Sequence, residues 1–191
     1  DGRLKLIPKP EKSTDFEPRI EWIGVEGKWN ANTNIEEAKK VIELIEAWLE
    51  YPEVPTIGVV TFNFHQQELI KDEIDRRMQE LVDDEHSVLL QKWQELLHKR
   101  ISEENLGLFI KNIENVQGDE REVIIFSIAY AKNEKGKLPA HFGSLSQAGG
   151  ENRLNVAITR AKKKVQIVCS FEPGELEVED SLNAGPKLFK A

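Results

Sequence analysis

Glu122-Val123-Ile124-Ile125-Phe126-Ser127-Ile128 carries the strongest strand signal in the chain. β-Branched and aromatic residues dominate it, as they do in extended segments. Working outward, Ile57-Gly58-Val59-Val60 is a second unbroken apolar run, the mark of a strand covered on both faces. Lys164 to Cys169 predicts a last strand, and Leu108-Phe109-Ile110 and Ile20-Glu21-Trp22-Ile23-Gly24-Val25 predict two short ones. Helical periodicity fills the intervals. Strands alternating with helices predict an α/β fold, a mainly parallel sheet with helices on both faces.

The first helix begins at Asn34, a good N-cap, with Glu36 and Glu37 in the first turn. Its apolar positions are Ile35, Ala38, Val41, Ile42, Ile45, Trp48 and Leu49, and Pro52 and Pro55 close the unit. A second helix carries Leu69, Ile70, Ile74, Met78, Leu81 and Val82 until Asp83-Asp84-Glu85 breaks the pattern. A third carries Leu89, Trp93, Leu96 and Leu97. Residues 131–150 are polar and glycine-rich, a loop, and a helix is expected from about Glu151 to Lys162. The expected organisation is an extended lead-in over 1–19, a domain over 20–171 with a helical insertion at about 83–105, and an acidic tail over 172–191.

At 191 residues the chain suffices for one domain. No apolar run approaches the ~18 residues of a membrane span, so no membrane partner is expected. Met78 is the lone methionine, which points to a piece of a longer protein with processing as the alternative, and a single cysteine that cannot form an internal disulfide fits a cytoplasmic setting. Cys169 ends an apolar run and reads as a buried structural thiol. The four histidines show no metal-ligand spacing, so no metal site is expected. A net charge of -8 argues against a stand-alone nucleic-acid binder, but not against one wall of a shared groove.

Three clusters could carry chemistry. Thr61-Phe62-Asn63-Phe64-His65-Gln66-Gln67 follows a buried strand, where ligands of open parallel sheets bind; alone it is equally a turn and helix cap. Asn112-Ile113-Glu114-Asn115-Val116-Gln117-Gly118-Asp119-Glu120-Arg121 lies between two strands. Its Gly118 permits close backbone approach and its Gln117 and Glu120 could bind a hydroxyl or water. The alternative there is a solvated loop with Arg121 paired to an acid. Asn152-Arg153-Leu154-Asn155-Val156-Ala157-Ile158-Thr159-Arg160-Ala161-Lys162 places two arginines seven apart, about two helical turns, on one edge, an arrangement suited to phosphate. Five basic residues and one acid between Glu151 and Lys164 favour that over an ordinary surface helix.

In order, spacing and placement these clusters resemble motifs IV, V and VI of the second motor domain of superfamily 1 DNA/RNA helicases. The branch of the nonsense-mediated-decay helicase and the Dna2-type helicase-nucleases is the nearest in look. The third cluster matches motif VI almost residue for residue. Gln117-Gly118 followed by Glu120 is similar to motif V. In motif IV, Thr61 and Gln66 match while Phe62 and Asn63 depart from the family's Thr-Pro-Tyr. Asn34-Ile35-Glu36-Glu37-Ala38 also resembles the helix start that precedes motif IV.

The resemblance implies a RecA-like domain of the P-loop NTPase fold type that completes an ATP site with a first motor domain upstream. Arg160 and Glu120 would then be catalytic, with Arg160 at the γ-phosphate and Glu120 near the ribose or a bound water. Gln117, Gly118 and Arg153 would line the ATP cleft. Thr61, Gln66, Asn112 and Asn115 would face single-stranded or duplex nucleic acid. ATP and Mg2+ are expected in the intact protein and neither on this chain alone. The Gly-Lys pairs Gly27-Lys28 and Gly136-Lys137 lack the preceding glycine and following Ser/Thr of a phosphate-cradling loop. A nuclease domain further on would make the whole a helicase-nuclease; a non-catalytic binding module of helicase-like fold is the other rival.

Overall fold

The computed structural model describes residues 19–82, 87–101, 104–133, 136–139, 141–176 and 183–190. Their strands are β1 (Ile20–Gly24), β2 (Ile57–Thr61), β3 (Arg100–Ile101), β4 (Glu104–Asn105), β5 (Phe109–Asn112), β6 (Arg121–Ala131) and β7 (Ala161–Ser170). The helices are α1 (Ile35–Leu49), α2 (Phe64–Val82), α3 (Val88–Leu97), α4 (Gly150–Ile158) and α5 (Ala184–Lys190). Five strands form one sheet in the order β1-β7-β6-β2-β5, every pairing parallel. β3 and β4 pair separately and antiparallel.

β6 explains the unbroken apolar run. Val123 and Ile125 face the core shared with Val41, Ile45 and Trp48 of α1, Ile70 and Ile74 of α2, and Trp93 and Leu96 of α3. Ile124, Phe126 and Ile128 face the opposite core with Leu154 and Ala157 of α4. Both faces are covered, so alternation disappears from the sequence. At β2 a Cβ on Gly58 would sit 2.3 Å from the Phe109 ring, so the glycine makes room for an aromatic of the neighbouring strand.

The first helix starts as expected: the Asn34 side chain accepts from Glu37 N, and all the anticipated apolar positions except Ile35 are buried. The helix expected from Glu151 to Lys162 instead ends at Ile158, and β7 begins at Ala161 rather than Lys164. The basic residues after Arg160 are thus strand residues, and acids of neighbouring strands meet two of them. Lys163 pairs with Glu122 at 2.8 Å and Lys164 with Glu21 at 2.9 Å. Residues 183–190, expected as acidic tail, fold back as α5. Gly185 lies so close to Leu145 that a Cβ would come 2.2 Å from its carbonyl oxygen, and Phe189 packs its ring 5.3 Å from that of Phe62. The lead-in over 1–18, the acidic break at 83–85 and parts of the expected insertion and tail lie outside the described residues.

Glu36 and Glu37 read alike in the sequence but differ in the fold. Glu36 is exposed, whereas Glu37 is fully buried. Its Oε2 accepts from Ser127 Oγ (2.9 Å) and Ala129 N (2.6 Å), and its Oε1 accepts from Asn34 Nδ2 (3.2 Å) and Ser170 Oγ (3.1 Å). Ala129 lies in the irregular stretch between Ser127 and Ala131 with φ 71°, a left-handed conformation that costs a non-glycine residue. Its bond to Glu37 helps hold it there. Burial outweighs these donors and pushes the Glu37 carboxyl up to about 7 from 4.5. Because the folded chain holds the proton more tightly, this contribution is complete below about pH 4.5 and is lost as pH rises through about 7. Urea denaturation of the chain from about pH 5 to 8 should show wild-type stability falling relative to Glu37→Gln by up to roughly 3 kcal/mol, at 1.36 kcal/mol per pKa unit. Parallel pH profiles for the two proteins would show that the buried carboxyl does not titrate on folding.

Candidate functional site

The Glu120 end of the second sequence cluster and the Arg160 end of the third meet at the amino-terminal edge of the sheet. Glu120 immediately precedes β6 and Arg160 immediately precedes β7, and these strands are neighbours. Arg160 Nη1 stands 3.5 Å from Glu120 Oε1, and Lys162 Nζ stands 3.6 Å from Glu120 Oε2. A carboxylate between two cations forms a compact, partly exposed site: the Glu120 side chain is 48% exposed and that of Arg160 21%. Arg160 Nε also donates to Val156 O at 3.1 Å, across the last turn of α4, where a cation suits the exposed carbonyls. The turn that delivers Glu120 needs Gly118, whose φ of 90° is the conformation a type II turn asks of its third residue. Gln117 and Gly118 are exposed beside it.

Arg153 does not join this pair. Its Nη1 donates to the carbonyls of Ser144 and Ala148, both at 3.1 Å, so it ties the start of α4 to the preceding loop. The expectation of two arginines on one helical edge fails because α4 stops two residues before Arg160. Lys162, the last residue of the third cluster but given no role of its own there, takes the second cationic position. Its signal was a basic residue two beyond Arg160, legible only once strand pairing sets Ala161 beside Arg121.

The first cluster lies at the opposite, carboxyl-terminal edge, and it divides. Thr61 and Gln66, expected to face nucleic acid, are both fully buried. Thr61 Oγ1 donates to Asn63 O at 2.8 Å. Gln66 accepts from Asn34 N at 2.7 Å and donates to Asn34 O and Ser127 Oγ, each at 3.0 Å. Both are internal braces that a ligand does not reach in this arrangement. Asn112 and Asn115 are accessible; Asn112 pairs in register with Thr61, and its Oδ1 accepts from Glu114 N at 2.7 Å. Phe64, at the first position of α2, is 57% exposed beside His65. Sequence periodicity passes over Phe64 because an aromatic at a helix start reads as core.

Among the described residues no cluster of three His, Cys, Asp or Glu could hold a metal, and no helix is long and apolar enough to cross a membrane. Cys169 is buried, and burial pushes its thiol well up, with the nearby Glu37 charge adding to the shift, so it packs as an apolar group.

The sequence profile of the AAA domain family matches residues 14–172. An uncharacterized ATP-dependent helicase of Mycoplasma pneumoniae is 37% identical over 166 residues, 86% of this chain and 14% of the relative. Its Mycoplasma genitalium counterpart matches with the same identity and coverage. An uncharacterized ATP-dependent helicase of Methanocaldococcus jannaschii is 28% identical over 135 residues, 71% of this chain and 14% of that protein. Among solved structures, the C-terminal domain of a possible DNA helicase from Lactobacillus plantarum aligns with a TM-score of 0.43 at 14% identity, over 87% of this chain and 83% of that one. The chain thus spans about 14% of the length of these curated relatives. The profile match takes in both the Glu120 turn and the Arg160 turn, and the chain belongs to the AAA domain family, with relatives that are named ATP-dependent helicases.

Proposed function

We propose that this chain is the second motor domain of an ATP-dependent superfamily 1 helicase, closing on a first RecA-like domain to complete an ATP site between them. The observation that carries the reading is the meeting of Glu120 and Arg160. They are forty residues apart in sequence, belong to two different motifs, and share one partly exposed edge of a rigid parallel sheet. A guanidinium there can turn from Glu120 to a γ-phosphate, meeting it with a planar pair of donors that a lysine cannot reproduce. In this reading Glu120 contacts the ribose or a bound water, Gln117 and Gly118 shape the cleft, and Lys162 adds positive charge beside Arg160. Mg2+ would be held by the nucleotide phosphates and residues of the first domain. Asn112, Asn115 and the exposed Phe64 ring lie at the opposite edge, where a single strand could be held by amide contacts and base stacking.

In the full-length protein Arg160→Ala should lower nucleic-acid-stimulated ATP turnover by ~10³ to 10⁵, the range for a supplied arginine in phosphoryl transfer. Arg160→Lys should remain badly impaired, and both variants should melt near wild type because the side chain lies outside the Leu154–Ala157 core face. The assay is steady-state ATPase beside a thermal melt. Near wild-type turnover in a normally folded Arg160→Ala protein would remove this edge from the ATP site.

The isolated domain, with net charge -8, should bind single strands weakly and with steep salt dependence. Fluorescence anisotropy at two salt concentrations tests this, and Phe64→Ala should weaken what binding there is. Tight, salt-insensitive binding would favour a self-sufficient binding module instead.

A further inference from the structure

Arg121 follows Glu120 and is only 6% exposed, yet the acid pairing expected for it is not what holds it. Its guanidinium bonds to carbonyl oxygens. Nε and Nη2 donate to Gly107 O (3.2 and 2.9 Å), Nη2 reaches Asn105 O (3.4 Å), and Nη1 donates to Glu120 O (2.9 Å). Its Cζ stands 5.0 Å from the Phe109 ring centroid, a favourable seat for a cation. Burial pushes the guanidinium below its ordinary pKa, with the Asp119 charge opposing. Arginine remains charged through such a shift.

Withdrawing a guanidinium from water is costly unless its donors are matched, and an apolar side chain would occupy the slot without that cost. The fork does what an apolar chain cannot: it holds the peptide of residue 120. Arg121 also donates its own backbone N–H to Arg160 O at 3.0 Å. One residue therefore bonds the carbonyls of both Glu120 and Arg160, the first through its side chain and the second through its main chain. The other end of the fork is firmly seated. A Cβ on Gly107 would lie 2.2 Å from Leu97 O, so the segment after α3 is packed directly against the end of that helix. Other ties on the turn are the Asp119 N to Val116 O bond, long at 3.4 Å, the Lys111–Asp119 ion pair at 2.6 Å, and the partly exposed pairs of Glu120 itself with Arg160 and Lys162.

We propose that Arg121 is a positioning residue for the Glu120–Arg160 pair, clamping the Glu120 peptide to the Asn105–Gly107 segment so that the carboxylate and the guanidinium face the nucleotide in fixed register. This rests on reading Glu120 and Arg160 as nucleotide contacts, and it makes the segment following α3 the brace of that edge. Displacements of about 1 Å at reacting groups cost on the order of 10²-fold in rate. Arg121→Lys keeps the charge but cannot serve Glu120, Gly107 and Asn105 together, so kcat should fall about tenfold or more while the KM for ATP moves far less.

The test uses the full-length protein in nucleic-acid-stimulated ATPase assays, with thermal melts, for Arg121→Lys, Arg121→Met, Glu120→Ala and the Glu120→Ala/Arg121→Lys double variant. If Arg121 acts through Glu120, adding Arg121→Lys to Glu120→Ala lowers kcat no further. A double variant that falls by the product of the two single effects, or an Arg121→Lys protein with wild-type kcat, overturns the proposal. Should Arg121→Met fail to fold, Arg121→Lys alone carries the comparison. Wild-type turnover in Glu120→Ala would instead overturn the nucleotide-site reading itself, whereas an impaired Glu120→Ala beside an unimpaired Arg121→Lys overturns only the role of Arg121.

Discussion

The Glu37 carboxyl, buried at the carboxyl-terminal edge of the sheet, ties together three elements of the fold. It receives hydrogen bonds from the cap of its own helix, from the irregular stretch of β6 and from the end of β7. Through Asn34 and Ser127 the network continues to Gln66 in the first turn of α2. A buried carboxylate without such partners would be severely destabilising, because nothing replaces the water it loses. Here four donors offset part of that loss, and with the Asn34–Gln66 and Ser127–Gln66 bonds they set the relative positions of α1, α2, β6 and β7. The left-handed Ala129 and the buried polar ends of β2 and β6 follow from that arrangement.

With one edge locked, the other is free to present chemistry. β6 begins beside Glu120 and ends in the stretch held by Glu37, so a single strand of eleven residues, roughly 30 Å, runs between the two edges. The amino-terminal edge carries Glu120, Arg160 and Lys162; the carboxyl-terminal edge carries Asn112, Asn115 and Phe64. Separating a cationic site from an aromatic and amide-bearing one across a stiff sheet is consistent with a motor domain that meets a nucleotide and a strand at different places. Charge follows the same division. The basic run from Arg160 to Lys164 is matched by Glu120, Glu122 and Glu21 from adjoining strands, so the excess of positive charge counted along the chain is largely neutralised in space.

The sequence by itself determined the class of fold and the two segments that carry the candidate site. Unbroken apolar runs demand strands covered on both faces, Asn34 caps its helix through local geometry, and Gly118 marks a turn that only a left-handed backbone can make. These are local constraints, and they are legible because they act within a few residues. What only the tertiary structure decided depends on partners far along the chain. Glu36 and Glu37 are chemically identical neighbours; the helical period sets Glu37 in line with Val41, Ile45 and Trp48, but only the positions of Ser127, Ala129 and Ser170 supply the partners a carboxyl needs there. Thr61 and Gln66 stand at motif positions yet serve as internal braces, since Asn34 and Ser127 reach them from other elements. Arg153 and Arg160 are two turns apart only if the helix continues, and it ends early because β7 must begin at Ala161 to pair with Arg121 at the start of β6. Arg121 itself reads as a surface charge until Gly107 and Phe109 close over it, because burial is a property of the assembled layers and not of any residue's neighbours in sequence.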